Sequence, residues 1–174
     1  MKQFLINLHG EIDGMMLNQD VDVHFPHHMP WKVGALAAIG DKANMRGVRL
    51  RLADMIAGIS LETADGKRLR DPGPPSHDER HKSKAHAAEY KASIDAQGII
   101  QRPLHGPTGQ VRGVLLVDGT AVRFPKHAAA ALTRLTKAGA SFAVRGYAVN
   151  SKCGGFIAAQ KIGSSQKTLL RIRS

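Results

Sequence analysis

The chain repeats itself over a long stretch. Residues 10–47 align without a gap on residues 109–146, a displacement of 99 positions. A repeat of this length indicates two copies of one small domain rather than a stack of short solenoid units. Function is therefore to be sought in what one copy has and the other lacks. The two segments are identical at ten positions: Gly10/Gly109, Gly14/Gly113, Leu17/Leu116, Val23/Val122, Phe25/Phe124, Pro26/Pro125, His28/His127, Gly40/Gly139, Arg46/Arg145 and Gly47/Gly146.

Composition narrows the class of protein. A chain of 174 residues fits one or two small domains, and 43% hydrophobic residues is ordinary for a globular protein. The longest apolar runs, residues 35–39 and 128–132, are too short to span a membrane. The N-terminal residues do not read as a signal peptide. A single cysteine, Cys153, excludes an internal disulfide and a cysteine-based zinc site. We expect a bacterial-type cytoplasmic protein.

The positive charge is concentrated in the second copy. Residues 1–66 carry six Lys/Arg against eight Asp/Glu, and residues 67–97 carry seven against five. Residues 98–174 carry twelve Lys/Arg against one Asp/Glu, which equals the net charge of +11 for the whole chain. Concentrated charge of one sign costs stability through self-repulsion, so this pattern favours a polyanionic partner for the second copy.

Both copies have the pattern of three strands, a helix and two further strands. In the second copy Asp118-Gly119 is a hairpin signal, and Gly139 ends the helical pattern. Its strands are predicted at residues 99–104, 110–117, 120–124, 141–149 and 156–162, and its helix at 126–137. The first copy follows with strands at residues 4–8, 11–17, 20–25, 42–52 and 55–61, and a helix at 27–38.

The segment between the copies reads as a linker. Gly66–Pro75 is charged and rich in proline, and Ser76-His77-Asp78-Glu79 has the spacing of a helix capping box. A helix is therefore predicted from His77 to Ala96, before Gly98. The expected organisation is an N-terminal domain at residues 1–65, a partly helical linker at 66–97, and a basic C-terminal domain at 98–174.

The order of elements resembles the OB-fold, the oligonucleotide/oligosaccharide-binding barrel. Each copy also carries a hydrophobic-His-Gly turn and a Phe-Pro-x-His segment, as in Leu104-His105-Gly106 and Phe124–His127. The pair is similar to bacterial two-domain OB-like proteins of unassigned function. The resemblance implies a mainly β chain with two tandem five-stranded barrels, each with one helix between its third and fourth strands. This fold hosts many functions, so the resemblance does not specify a chemistry.

OB-folds bind ligands on the face of strands 2 and 3, flanked by the loops between strands 1–2 and 4–5. Strand alternation predicts that Val122, Phe124, Phe142 and Val144 point inward, which leaves cations and one tyrosine on the outside. The first copy has Asp13, His24 and His27 at three of the corresponding cationic positions. The nominated nucleic-acid-binding residues are Arg112, Arg123, Lys126, Arg145, Tyr147 and Lys152.

These residues predict a non-enzymatic protein that binds single-stranded DNA or RNA through its backbone. The cations would neutralise phosphates, Tyr147 would stack on a base, and the basic tail (Lys167, Arg171, Arg173) would extend the footprint. The N-terminal barrel would serve as a partner, dimerisation or regulatory module. The alternative is a scaffold of two barrels that binds a protein or an acidic ligand without nucleic acid.

Histidines open a third hypothesis. His24, His27 and His28 cluster at the end of the third strand. Neutral imidazoles are ligands for zinc, copper and nickel, so this cluster is a candidate metal site. No close carboxylate or thiolate completes a ligand pattern, so no metal or other cofactor is predicted. A pair at His77 and His81 lies in the linker and reads as solvated. No nucleophile–base order, phosphate-cradling loop or dinucleotide fingerprint is present, and Cys153 reads as incidental.

Overall fold

The computed structural model describes residues 1–17, 21–26, 29–51, 55–71, 73, 89–106, 108–128, 135–151 and 154–172. The chain divides into two compact units. The N-terminal unit comprises Met1–Ala87 with Pro107–Gly109, and the C-terminal unit comprises Ala88–Gly106 with Gln110–Ser174.

The N-terminal unit contains one sheet and one short helix. The strands are β1 (Gln3–Ile6), β2 (Ile12–Met16), β3 (Asp22–His24), β4 (Ala43–Arg49), β5 (Met55–Thr63) and β6 (Arg68–Arg70), and the helix is α1 (Pro30–Leu36). The strand order is β1-β2-β3-β5-β4, with β6 added to β5. Only β3 and β5 run parallel. Among the described residues no pairing joins β4 to β1, so this sheet is not closed.

The C-terminal unit is a closed barrel. Its strands are β7 (Glu89–His105), β8 (Val111–Leu116), β9 (Ala121–Arg123), β10 (Ser141–Ser151), β11 (Gly154–Gly163) and β12 (Leu170–Arg171). The order β7-β8-β9-β11-β10 returns to β7, and β12 extends the sheet beside β11. The predicted mainly β class is confirmed, and the closed five-stranded ring is compatible with an OB-like barrel.

The barrel core follows the predicted alternation. Val122, Phe124, Phe142 and Val144 are all 0% exposed and pack in one hydrophobic cluster. Burial of each aromatic or aliphatic side chain contributes about 1.5–3 kcal/mol. The pattern of sequence alternation therefore located the inner face of this barrel correctly.

The prediction of one helix in each unit is supported only in part. Of the predicted helix at 126–137 in the C-terminal unit, the described residues form a 3₁₀ turn at Lys126–Ala128 and no helix at 135–137. Residues 129–134 lie outside the described part of the chain. In the N-terminal unit, α1 covers only seven residues of the predicted 27–38.

The linker helix is also corrected where the structure describes it. Residues 89–96 belong to β7 and pair with β10. Alanine-rich composition favours a helix, but pairing along a neighbouring strand outweighs this weak propensity. The remaining part of the predicted helix, residues 77–88, lies outside the described residues.

The two units make the same backbone hydrogen bonds at positions 99 apart. Gly40 donates to the carbonyl of Met1 at 2.9 Å, and Gly139 donates to that of Ile100 at 2.8 Å. From β5 onward the displacement is 101, because the chain between the equivalents of β4 and β5 is two residues longer in the C-terminal unit. The amide of Asp71 thus donates to Ile59, and that of Ile172 to Gln160, both at 2.8 Å.

Close strand approach explains two of the repeated glycine pairs. A Cβ on Gly113 would overlap the carbonyl oxygen of Val122, and a Cβ on Gly146 would overlap that of Ala158. Gly14 and Gly47 meet the equivalent carbonyls in the N-terminal unit. No side chain fits there, so the backbone geometry itself requires glycine at these positions.

Candidate nucleic-acid interface

The face nominated by strand alternation on β8 and β9 is buried. Arg123 does point away from Val122, as predicted, but it is only 3% exposed. Leu115 and Ala121 on the same face are 4% and 9% exposed. The expectation that Arg123 presents its charge to solvent is therefore wrong.

Small neighbours provide space for the Arg123 side chain. Arg123 lies directly opposite Gly113 on β8 and Ala158 on β11. A Cβ on Gly113 would stand 3.0 Å from the Arg123 Cδ, so the arginine stem lies over the glycine. The corresponding residue of the N-terminal unit, His24, is 2% exposed. Both units therefore bury a polar side chain at this position.

The other nominated residues fall into different environments. Arg112 is half-buried and lies beside an irregularity in the pairing of β7 with β8. Its side chain or backbone has a bonding or electrostatic partner. Lys126 begins the 3₁₀ turn, and the structure does not describe its side chain. Lys152, His27 and His28 lie outside the described residues. Within the described part of the chain, no group of three His, Cys, Asp or Glu side chains is arranged to hold a metal ion.

Three cations nevertheless line up on the outer face of the barrel. Arg145 on β10 is directly opposite Lys161 on β11, and Lys161 is directly opposite Arg171 on β12. Directly opposed residues have Cβ atoms about 4.5–5.5 Å apart and share one face of the sheet. Arg145 and Arg171 are exposed, and Lys161 is half-buried. We call Arg145, Lys161 and Arg171 the cationic row.

One carboxylate lies beside the cationic row and partly neutralises its positive charge. Asp95 on β7 stands opposite Arg145 and accepts two hydrogen bonds, at 2.7 Å from Nε and 2.6 Å from Nη2. These hydrogen bonds lower the pKa of Asp95 and raise that of Arg145. The charge of Lys161 also lowers the pKa of Asp95, but neither Lys161 nor Arg171 forms a salt bridge with a residue that the structure describes. Like charges opposite each other destabilise a sheet, so this row favours an added anion.

Tyr147 extends the same face. It lies two residues after Arg145 on a stretch of β10 whose register with β7 is regular, so both side chains point outward. Tyr147 is 38% exposed and lies opposite Ala158 on β11. The prediction of an outward Tyr147 is consistent with this placement.

A groove lies at the other end of the row. It has a volume of about 220 Å³ and is lined by residues that include Pro125, His127 and Arg171. Pro125 and His127 belong to the repeated Phe-Pro-x-His segment. This volume is below the roughly 300–1,000 Å³ of small-molecule pockets, so the groove fits a part of an extended ligand better than a whole enclosed one.

Sequence reasoning missed Lys161 and gave Arg171 only a place in a basic tail. Arg171 belongs instead to β12. Strict alternation on β11 does not find Lys161, because it places Gln160 on the same face as Ala158 and Lys161 on the opposite one. An irregularity in the pairing between Arg145 and Gly146 shifts the register there, and no sequence signal revealed it.

Comparison of the chain with protein-family models, with curated proteins and with solved structures finds no match. Among the residues described, no helix has the length and apolar character needed to cross a membrane.

Proposed function

We propose that the C-terminal unit is an OB-like barrel that binds single-stranded nucleic acid by its phosphate backbone, without catalysis, and that the two units derive from one duplicated domain. The observation that carries the proposal is the alignment of Arg145, Lys161 and Arg171 across three adjacent strands. Neighbouring strands are about 4.8 Å apart, so the row spans roughly 10 Å of surface.

The cationic row supports affinity rather than sequence reading. Lysine and arginine contact phosphates, and phosphate contacts position a nucleic acid without identifying its bases. Binding releases the counterions condensed on the strand, and this release makes affinity fall as salt rises. Tyr147 adds a stacking surface that accepts any base.

Asp95 fixes the direction of the Arg145 guanidinium. An arginine side chain has five N–H donors, and Asp95 occupies two of them. Three donors remain for an incoming phosphate. A guanidinium held in place by one carboxylate loses less conformational entropy on binding than a free side chain does.

Fluorescence anisotropy with labelled oligo(dT) and oligo(U) tests this function. We expect the double charge reversal Lys161→Glu/Arg171→Glu to weaken binding by about ten-fold or more at low salt. The matched control is Lys137→Glu/Arg51→Glu, which makes the same change in net charge at exposed positions outside the row. Equal loss in both variants, or no binding by the unmodified protein, would contradict the proposal.

The alternative function is a scaffold that binds an acidic protein or ligand. The same variants separate the two proposals. If the oligonucleotides do not bind and an acidic polypeptide such as polyglutamate binds in a manner that depends on Lys161 and Arg171, the row serves the scaffold function instead.

A further inference from the structure

The outer edge of β4 has no partner strand among the residues that the structure describes. In the C-terminal unit, β10 pairs with β11 on one side and β7 on the other. β4 pairs with β5 on one side, and no described residue pairs with its other edge. Five of the seven β4 residues are exposed: Asn44, Arg46, Gly47, Val48 and Arg49.

In the C-terminal unit, one defined segment of β7 pairs with the equivalent edge of β10. The amine of Met1 donates to the carbonyl of Asp41 at 2.7 Å, as the amide of Ile100 donates to that of Ala140 at 2.9 Å. Met1 therefore occupies the position of Ile100. The part of β7 that pairs with β10 runs from Glu89 to Ile99, immediately before Ile100.

The unpaired edge of β4 carries an arginine at the position where the paired edge of β10 carries one. Arg46 corresponds to Arg145 in the repeat, and Arg145 is held by Asp95 of the closing strand. Arg46 is exposed and forms no ion pair with a described residue. Val48, which corresponds to Tyr147, is 60% exposed. A strand added beside β4 would therefore lie next to the Arg46 cation and the apolar Val48 side chain, and it could form hydrogen bonds with the N–H and C=O groups of β4.

We propose that β4 binds an extended segment of a partner polypeptide, antiparallel to β4, with an acidic residue opposite Arg46. Strand addition to a sheet edge takes its affinity from main-chain hydrogen bonds and its specificity from alternate side chains. The C-terminal unit supplies the template: Ser93, Ile94, Asp95, Ala96 and Gln97 lie opposite β10, with Asp95 central. The partner sequence is therefore expected to place Asp or Glu among uncharged residues.

The first test adds such a strand in trans. A labelled peptide with the sequence of Tyr90–Ile99 is titrated against the full-length protein, and binding is followed by anisotropy. We expect Arg46→Glu to weaken binding about ten-fold or more, and Asp95→Asn in the peptide to weaken it several-fold. Arg51→Glu is the matched control, because Arg51 is exposed and lies outside β4.

Dependence on Arg46 also distinguishes this binding from exchange of the peptide with β7, which would leave Arg46 without effect. Binding that is insensitive to Arg46→Glu, or an absence of binding at millimolar peptide, would overturn the proposal. Neither result bears on oligonucleotide binding by the C-terminal unit, so the two proposals fail separately.

The second test supplies the strand in cis. Fusing the sequence Glu89–Ile99 directly ahead of Met1 would place it beside β4. We expect this fusion to raise Tm by several degrees and to abolish binding of the free peptide. The same fusion with Asp95→Asn is expected to give a smaller rise. An unchanged Tm together with undiminished peptide binding would show that β4 does not accept a strand.

Discussion

Arg145 holds Asp95 through two parallel hydrogen bonds, 2.7 Å from Nε to Oδ1 and 2.6 Å from Nη2 to Oδ2. The pair joins β10 to β7 across the seam that closes the C-terminal barrel. It also stands at one end of the cationic row. One arginine therefore links the closure of the barrel to the surface proposed to bind phosphates.

This pair predicts an acid-sensitive contribution to stability. The Arg145 hydrogen bonds hold the pKa of Asp95 below its ordinary value of 3.8. The contribution is therefore present above pH 3.8 and is lost as the pH falls through the lowered pKa. It is small, because both side chains are nearly half exposed.

Carboxyl titration by NMR checks the Asp95 prediction. Arg145→Lys is expected to move the pKa of Asp95 back toward 3.8, because a lysine cannot donate the two-pronged pair. Asp65 is the internal control, since hydrogen bonds from Lys67 and then Thr63 lower its pKa to about 2. A pKa of Asp95 unchanged by Arg145→Lys would contradict the pairing.

Burial of Arg123 predicts a loss of stability rather than a loss of binding. Arg123→Glu places a carboxylate at a position only 3% exposed, so the free energy of unfolding should fall by roughly 3–5 kcal/mol. Lys161→Glu is expected to change it by about 0.5 kcal/mol or less. Urea unfolding of the two variants measures the difference. Comparable stability of both variants would show that Arg123 is accessible to solvent.

The glycine of β10 predicts a steric effect. Gly146→Ala should destabilise the protein by about 1–3 kcal/mol, because its Cβ would overlap the carbonyl of Ala158. Gly98→Ala is the milder comparison, since its Cβ would stand 3.3 Å from the Leu116 Cδ1 rather than overlap a carbonyl oxygen. Thermal unfolding should separate the variants, and equal Tm values would contradict the close approach.

Tyr147 predicts a contribution to binding that does not depend on salt. Tyr147→Ala should weaken oligonucleotide binding by about 1–3 kcal/mol, while Tyr147→Phe retains the ring and most of the affinity. Neither change removes a charge, so the salt dependence should be the same in both variants. Unchanged affinity of Tyr147→Ala would exclude Tyr147 from the interface.

The inner faces of the barrel strands could be predicted from sequence, and the strand at residues 89–96 could not. Val122, Phe124, Phe142 and Val144 alternate with polar residues, and alternation reports directly on which side is buried. Residues 89–96 have helical composition but form a strand, because the edge of β10 supplies a partner for their backbone. Composition carries no information about a partner that arrives from a distant part of the chain.

The sequence predicted that the outer face of the barrel carries cations, but it did not predict which of these cations are exposed. Outward alternation identified Arg123 and Arg145 equally, yet one is buried and the other is exposed. Alternation distinguishes the two faces of a strand but does not tell whether the outer face is covered. The alignment of Lys161 with Arg145 depends on an irregular register, which only the structure provides.

The central claim is that the cationic row binds single-stranded nucleic acid, and the slope of log affinity against log salt concentration tests it most directly. Three phosphate contacts predict a slope of about −2 for a single strand. Lys161→Glu/Arg171→Glu should reduce it to about −0.7 or less in magnitude, and Lys137→Glu/Arg51→Glu should leave it near −2. A slope that is the same in all three proteins would contradict the claim.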